Sequence, residues 1–406
     1  MAVWDDVVGQ ERVTAQLSAA ARDADAFVTA EAADKGSAVL SGSSMTHAWL
    51  FTGPPGSGRS TAARAFAAAL QCVSPDRALG GPPGCGFCDG CHTALVGTHA
   101  DVEVIRTDLL SIGVKETREQ VRRAQMSPAG GRWQAIVVED ADRLTEGAGN
   151  VLLKAIEEPA PRTVWLLCAP STEDVLPTIR SRCRHLALRT PPLDAVADLL
   201  MRRDGIEPEM AAYAARATQG HIGRARRLAT DERARRRRAA VLKLPQRVAD
   251  VGGALQAAQE LIDAATEDAK EVAEELDERE TEELRAALGA SEGRSRLPRG
   301  TAGVMKELQD KQKRRSTRTQ RDSLDLALTD LTVFYRDVLA RQLGSGVALA
   351  LANEEAGDAV AQLASTSGPE QTLRRIEAVL QCRGALDRNV APLLAVEAMA
   401  MTLRAS

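Results

Sequence analysis

Two groups of residues in this sequence have the types and spacing to do chemistry, and the first is a set of cysteines. Cys85, Cys88 and Cys91 follow a C-x-x-C-x-x-C pattern, with Cys72 twelve intervening residues upstream. Four thiolates satisfy the tetrahedral preference of zinc, and Gly84, Gly86 and Gly90 permit the tight turns such ligation needs. An iron–sulfur cluster is the competing reading, because its ligand runs use the same spacing. That run continues with x3-C-P, whereas HTALVG follows Cys91 here, which favours zinc. His92 and His99 are substitute ligands by proximity, although a single histidine beside such a site is more often a surface residue. Four thiolates leave no open position for a substrate, so the expected role is structural. Cys168, Cys183 and Cys382 are isolated in sequence and are expected to pack in cores.

The second group is a phosphate loop with altered chemistry. In GPPGSGRST, Gly53, Gly56 and Gly58 let the backbone curl so that its N–H groups converge on an anion at a helix N-terminus. Ser60, followed by Thr61, stands where a magnesium-ligating hydroxyl belongs. Position 59 calls for lysine and holds Arg59, whose planar guanidinium is bulkier and aims differently from a compact ammonium. At the end of IVVEDADRL, Glu139 and Asp140 stand where a magnesium-binding acid and a water-orienting acid are needed, in that order. The usual Asp-Glu order is reversed, and Asp140 is one methylene too short to reach a water well. The bland alternatives are a glycine turn that binds nothing and acids that cap a strand. Departures in both motifs predict a degenerate nucleotide site, with neither tight ATP or ADP binding in cis nor appreciable hydrolysis.

The elements that position these residues follow from apolar patterning. HAWLFTG, DVEVIRT, QAIVVED and TVWLLCAP are short, rich in Val, Leu, Ile or Trp, and end in turn or acidic residues, as buried parallel strands do. Helical stretches such as STAARAFAAALQ and GNVLLKAIEEP alternate with them, so residues 1–190 read as an α/β P-loop core with a parallel sheet and an inserted zinc module at about 72–91. Pro191 and Pro192 mark a boundary, and residues 191–243 read as a small helical unit broken at Gly205, Pro208 and Gly220. Residues 244–406 are also helical, with a charge-dense insertion at about 266–322 that reads as a solvated hairpin or a partly disordered segment.

Composition bounds the function classes. A chain of 406 residues with 44% hydrophobic and 27% charged residues can bury two or three cores. Aromatics make up only 3%, so those cores must rest on Ala, Leu and Val. The formal net charge of −4 excludes a general polycation, and nucleic-acid contact would need a local patch. Arg233 to Arg238 is a basic run of that kind, and the solvated face of a helix is its favoured reading. The N-terminus lacks a signal-peptide pattern, and no apolar run is long enough to span a membrane. The expectation is a cytoplasmic protein with reduced cysteines.

These motifs together carry a resemblance. VVGQE near the start, GPPGSGRS, GCGFCDGC, GTHADVEVI, NVLLKAIEEP and IRSRC occur in the order of the clamp-loader subunits of bacterial DNA polymerase III, which are AAA+ proteins. The resemblance covers residues 1 to about 230 and returns in RNVAPLLAVEAMAMTLR, which is similar to the last helix of the family's oligomerising collar. It implies an AAA+ core, a helical lid over 191–243, and an all-helical collar over 244–406 that joins five subunits, gamma/tau and delta among them. That assembly opens the sliding clamp and places it on primed DNA. In related ATPases the residues around Val7 and Val8 line the adenine pocket. The family arginine of the SRC motif, here Arg182, reaches into a neighbour's ATP site. The chain keeps this trans-acting arginine while departing from the motor subunits at Arg59, at Glu139–Asp140 and at Gly223, where they have a lid arginine. That combination resembles the delta-prime branch of the family. An active gamma-type ATPase and an AAA+ scaffold with no part in nucleotide chemistry are the alternatives.

Overall fold

In the N-terminal unit, helix and strand alternate around a parallel sheet, as the apolar runs require. The order is α1 (Glu11–Ala32), β1 (Ala48–Thr52), α2 (Arg59–Leu70), α3 (Asp89–Val96), β2 (Val102–Ile105), α4 (Val114–Ala124), β3 (Gln134–Val138), α5 (Glu146–Glu157), β4 (Thr163–Ala169), α6 (Pro177–Arg180) and β5 (Arg184–Ala187). Helices α7 (Leu193–Asp204), α8 (Pro208–Ala217), α9 (Ile222–Thr230), α10 (Glu232–Arg247), α11 (Val251–Ala287), α12 (Ala302–Gln342), α13 (Gly357–Thr366), α14 (Pro369–Asp387) and α15 (Pro392–Ala405) complete the chain. This computed structural model describes residues 2–32, 43–79, 81, 83–107, 109–130, 132–287, 302–344 and 352–405. The chain divides into two units, one of Met1–Ala215 with Gln219–Arg226, the other of Arg216–Thr218 with Arg227–Ser406. The division falls within the 191–243 stretch.

The five strands pair in parallel in the order β2-β3-β4-β1-β5. Strands β1, β3 and β4 are buried along their whole length, the condition under which a strand is apolar on both faces. Alternate residues then supply two separate cores. Trp49, Phe51, Val137, Val164 and Leu166 join α1, α2 and α3 on one face. Leu50, Ile136, Val138, Trp165 and Leu167 join α4, α5 and α6 on the other. The scarcity of aromatics shows in α2, whose buried face is alanine at 62, 63, 65, 67, 68 and 69 around the single Phe66, which meets Trp49 edge-on at 5.3 Å. Small side chains let α2 lie close to the sheet, which fixes the loop between β1 and α2 at the strands' carboxyl ends. That is where open α/β sheets place their ligands.

The second unit is all helical. Leu324, Leu328, Leu331, Tyr335 and Val338 recur along α12 at helical spacing and pack with Ala254, Ala258 and Leu261 of α11, Val379 and Leu386 of α14, and Val396 and Leu403 of α15. The charge-dense stretch forms the far ends of α11 and α12, with residues 288–301 outside the described residues. Its arms bind each other through polar groups. Arg315 pairs with Asp277 and, at 2.8 Å, with Glu280, Gln312 donates to the Asp277 carbonyl at 3.0 Å, and Gln320 to Thr266 at 2.7 Å.

The basic run of α10 is committed to its own unit. Arg233 meets Glu271 at 3.0 Å, Arg236 meets Glu232 at 2.6 Å, and Arg237 pairs with Asp268. Arg235 donates to the carbonyls of Leu228 and Ala229. Arg238 is buried, 2.6 Å from Asp330. Arg233, Arg236 and Arg237 thus pair with acids of their own unit, and Arg238 is buried rather than on the solvated helix face that the sequence suggested.

Candidate nucleotide and metal sites

The phosphate loop forms between β1 and α2 as its glycines require. Gly56 and Gly58 hold φ of +82° and +89°, a left-handed conformation that side chains resist. Gly58 ends the loop as the N-cap of α2, with no side-chain cap. Gly53 is needed for room: a Cβ there would lie 2.6 Å from the Leu188 carbonyl oxygen.

Arg59, the residue that departs from the motif, already has a protein partner in this loop. Arg59 turns back and donates from Nη1 to the carbonyl of Gly53 at 2.6 Å. Burial lowers its pKa, against the pull of Cys168, Asp142, Asp140 and Asp174, so the guanidinium is held inside the loop's own fold. Ser60 lies near the buried Cys168 thiol of β4, whose pKa burial raises. His221 sits on the crown of the loop, where a Cβ on Gly56 would fall 2.3 Å from its Cγ. Burial, with Arg224 and Arg59 adding to it, brings the His221 pKa down to about 4, so the ring is neutral at pH 7.

The two acids are divided in the same manner. Glu139 lies 2.8 Å from Arg64 Nε, one helical turn beyond Ser60 on α2. Asp140 accepts from the Thr107 amide at 3.3 Å and faces Arg143. Thr61 is half-buried in the first turn of α2. Val7 is buried in the core beside α1, and Val8 is half-buried. Gln10 of the same VVGQE segment donates to the carbonyls of Ser57 at 3.2 Å and Arg189 at 2.5 Å, and accepts from the Arg189 amide. This side chain ties the phosphate loop to the segment after β5. Gln10, Arg64 and His221 are the residues that sequence reasoning missed. The lid segment drew attention to Gly223, and nothing about its pattern marked the histidine two residues before it.

The cysteines converge. Sγ atoms of Cys72, Cys85, Cys88 and Cys91 all lie within 4.8 Å of one another, and those of Cys72 and Cys88 are 3.9 Å apart. A tetrahedral ion with thiolates near 2.3 Å needs Sγ pairs about 3.8 Å apart, so the set fits one zinc. A multi-iron cluster would hold the sulfurs further apart. Backbone amides already point at sulfur: Val73 N and Cys91 N toward Cys88 Sγ at 3.4 and 3.5 Å, and Cys88 N toward Cys85 Sγ at 3.4 Å. Such donors favour the thiolate form that binds metal. Interaction between Cys72 and Cys91 lowers the pKa of the Cys72 thiol and raises that of Cys91, and a bound cation would favour the thiolate form of both. His99 is turned to the amide of Asp101, and neither it nor His92 belongs to the cluster.

Arg182 follows α6 at the exposed edge of the unit. Its guanidinium lies 2.6 Å from Glu157, at the end of α5, and donates to the Thr178 carbonyl at 3.0 Å. Its contacts, with Glu157, Thr178 and Ser181, include no residue of the chain's own phosphate loop.

Residues 30–192 match the family described as DNA polymerase III, delta subunit. Among curated proteins, the chain is similar to the gamma/tau subunit of DNA polymerase III from Mycobacterium tuberculosis, with 33% identity over 218 residues, 52% of this chain and 33% of that protein. It is similar to the delta' subunit from Bacillus subtilis, with 31% identity over 202 residues, covering 49% of this chain and 59% of that one. The delta' subunit from Escherichia coli shares 32% identity over 181 residues, 44% of this chain and 53% of the relative. The chain thus spans from a third to three fifths of the length of these relatives.

Proposed function

We propose, for a chain that belongs to the AAA+ clamp-loader subunits of DNA polymerase III, that it serves as the delta-prime subunit, a stator that helps load the sliding clamp but does not itself turn over ATP. The observation that carries this reading is the return of the Arg59 guanidinium to the Gly53 carbonyl, with His221 seated on Gly56. A γ-phosphate would need both positions. The divided acids, Glu139 on Arg64 and Asp140 on the Thr107 amide, add to it. On this reading the partners are gamma/tau and delta subunits in a pentamer, with the clamp and primed DNA engaged through the assembly. Cys72, Cys85, Cys88 and Cys91 hold a structural zinc that fixes the module after α2. No described helix is long and apolar enough to cross a membrane.

The similarity to a gamma/tau subunit, 33% identical over 218 residues, supports a second reading, an active motor ATPase. Phosphate release from the purified chain separates the two. The stator reading expects turnover far below the roughly 1 per second at the low end of ordinary enzymes. Turnover in that ordinary range, abolished by Ser60→Ala, would establish the motor reading instead. Clamp loading by gamma/tau and delta with and without this chain then tests the stator role: omission should abolish loading, and unimpaired loading would leave only a scaffold.

A further inference from the structure

The four-cysteine site is backed by an arrangement of charge that its sequence pattern does not contain. Asp25 of α1, Arg77 of the short turn at Pro75–Leu79 and Arg132 in the loop before β3 come together beside it, with side chains only 19%, 12% and 14% exposed. The Asp25 carboxylate accepts from Arg77 Nε at 3.1 Å and from Arg132 Nη2 at 2.8 Å. Each guanidinium also donates to backbone around the first cysteine: Arg77 to the Cys72 carbonyl, and Arg132 to the Leu70 carbonyl at 2.9 Å. Three distant segments thus fix two cations against the chain that presents Cys72.

One carboxylate cannot balance two guanidinium groups, and the two cations repel each other. Burial lowers the pKa of both arginines, and the thiolates of Cys88 and Cys91, with Cys72 in the case of Arg132, act in the opposite sense. A buried surplus of positive charge calls for a negative group nearby. Four thiolates around a divalent ion carry two net negative charges, and a buried dianion in turn calls for fixed cations. Each half of the arrangement supplies what the other lacks.

We propose that Asp25, Arg77 and Arg132 form a charge-compensating shell, with Asp25 holding the two arginines in place, that sets how tightly the four cysteines retain a divalent thiophilic cation. The inference rests on the zinc reading above and adds to it the residues that tune affinity. Outer-shell partners of this kind change metal affinity by about 10- to 100-fold when removed.

The test uses the full chain loaded with zinc and a chromophoric zinc chelator in competition. Arg132→Met and Arg77→Met should weaken zinc binding by about 10- to 100-fold. Arg132→Lys, which keeps the charge, should retain most of the affinity, and Arg122→Met on the exposed face of α4 should change nothing. Thermal midpoints with zinc and after its removal supply a second readout. The shell predicts that the methionine variants narrow the gap between the two midpoints and leave the zinc-free one in place. Methionine variants with wild-type zinc affinity, an equal fall of both midpoints, or a lysine variant as weak as methionine would overturn the charge-compensating role. A wild-type chain that binds no zinc would overturn the metal reading itself and this inference with it.

Discussion

Cys88→Ser is expected to empty the metal site while leaving the sheet folded. The Cys88 Sγ lies 3.9 Å from that of Cys72 and receives the amides of Val73 and Cys91. It is also the N-cap of α3, its side chain accepting from the Cys91 amide. Serine is a strong N-cap, so the substitution keeps the helix start and removes only the soft ligand. A hydroxyl is not ionised at neutral pH and cannot replace a thiolate on zinc. Zinc affinity should therefore fall by more than the roughly 100-fold of an outer-shell change. Elemental analysis should move from about one zinc per chain to a small fraction of one. The cost should remain local, because Cys72 and Cys91 are buried against α2 in a core that also rests on Trp49, Phe51 and Phe66. The melting transition of the module should broaden or drop while the second unit still melts as in the wild type. Unchanged metal content, or a visible iron–sulfur absorbance in the wild-type chain, would defeat the zinc assignment.

Much of the core was legible because strands buried on both faces leave unbroken apolar runs, and β1, β3 and β4 are of that kind. Strand β5 was not legible. Arg184–Ala187 pairs only with β1, at the sheet's edge, and buries Leu186 alone. An edge strand with one buried residue carries no run and no alternation to read. The cysteine site was legible because its ligands lie close in sequence. The arginines behind it were not, because Asp25, Arg77 and Arg132 come from segments more than fifty residues apart at either step. The same holds for the phosphate loop. Its glycines and its substituted lysine are local signals, whereas Gln10 and His221, which pack on it, arrive through tertiary contact. The charged stretch 266–322 left two readings open, a solvated helical hairpin or a partly disordered insertion, and its described parts are the ends of two long helices whose arginines and acids pair across the hairpin.

Arg182→Ala tests the part of the proposal that would make a subunit without ATP turnover matter to ATP turnover. In this chain Arg182 is exposed, held by Glu157 at 2.6 Å and by the Thr178 carbonyl. An ion pair as exposed as this one is worth about 0–1 kcal/mol, so it can be given up to a better anion at little cost. The γ-phosphate of a neighbouring motor subunit is such an anion, and a guanidinium beside it would offset charge that develops on the phosphoryl oxygens. Arginines supplied in trans raise rates by about 10³–10⁵ in GTPase systems. A smaller loss, of about tenfold in DNA-stimulated turnover of the assembled loader, is expected here, since the motor subunits hold other ATP sites that Arg182 does not reach. Clamp loading should fall in parallel, while zinc content, thermal midpoint and assembly of the ring stay at wild-type values. Arg182→Lys should recover little, because a compact ammonium lacks the planar fork that spans two phosphoryl oxygens. Glu157→Gln provides the complementary check: removing the resting partner frees the guanidinium, so loading should be maintained. If the alanine variant assembles and loads clamps at the wild-type rate, Arg182 is a surface residue paired with Glu157, and the chain acts in the loader as a scaffold without a part in the chemistry.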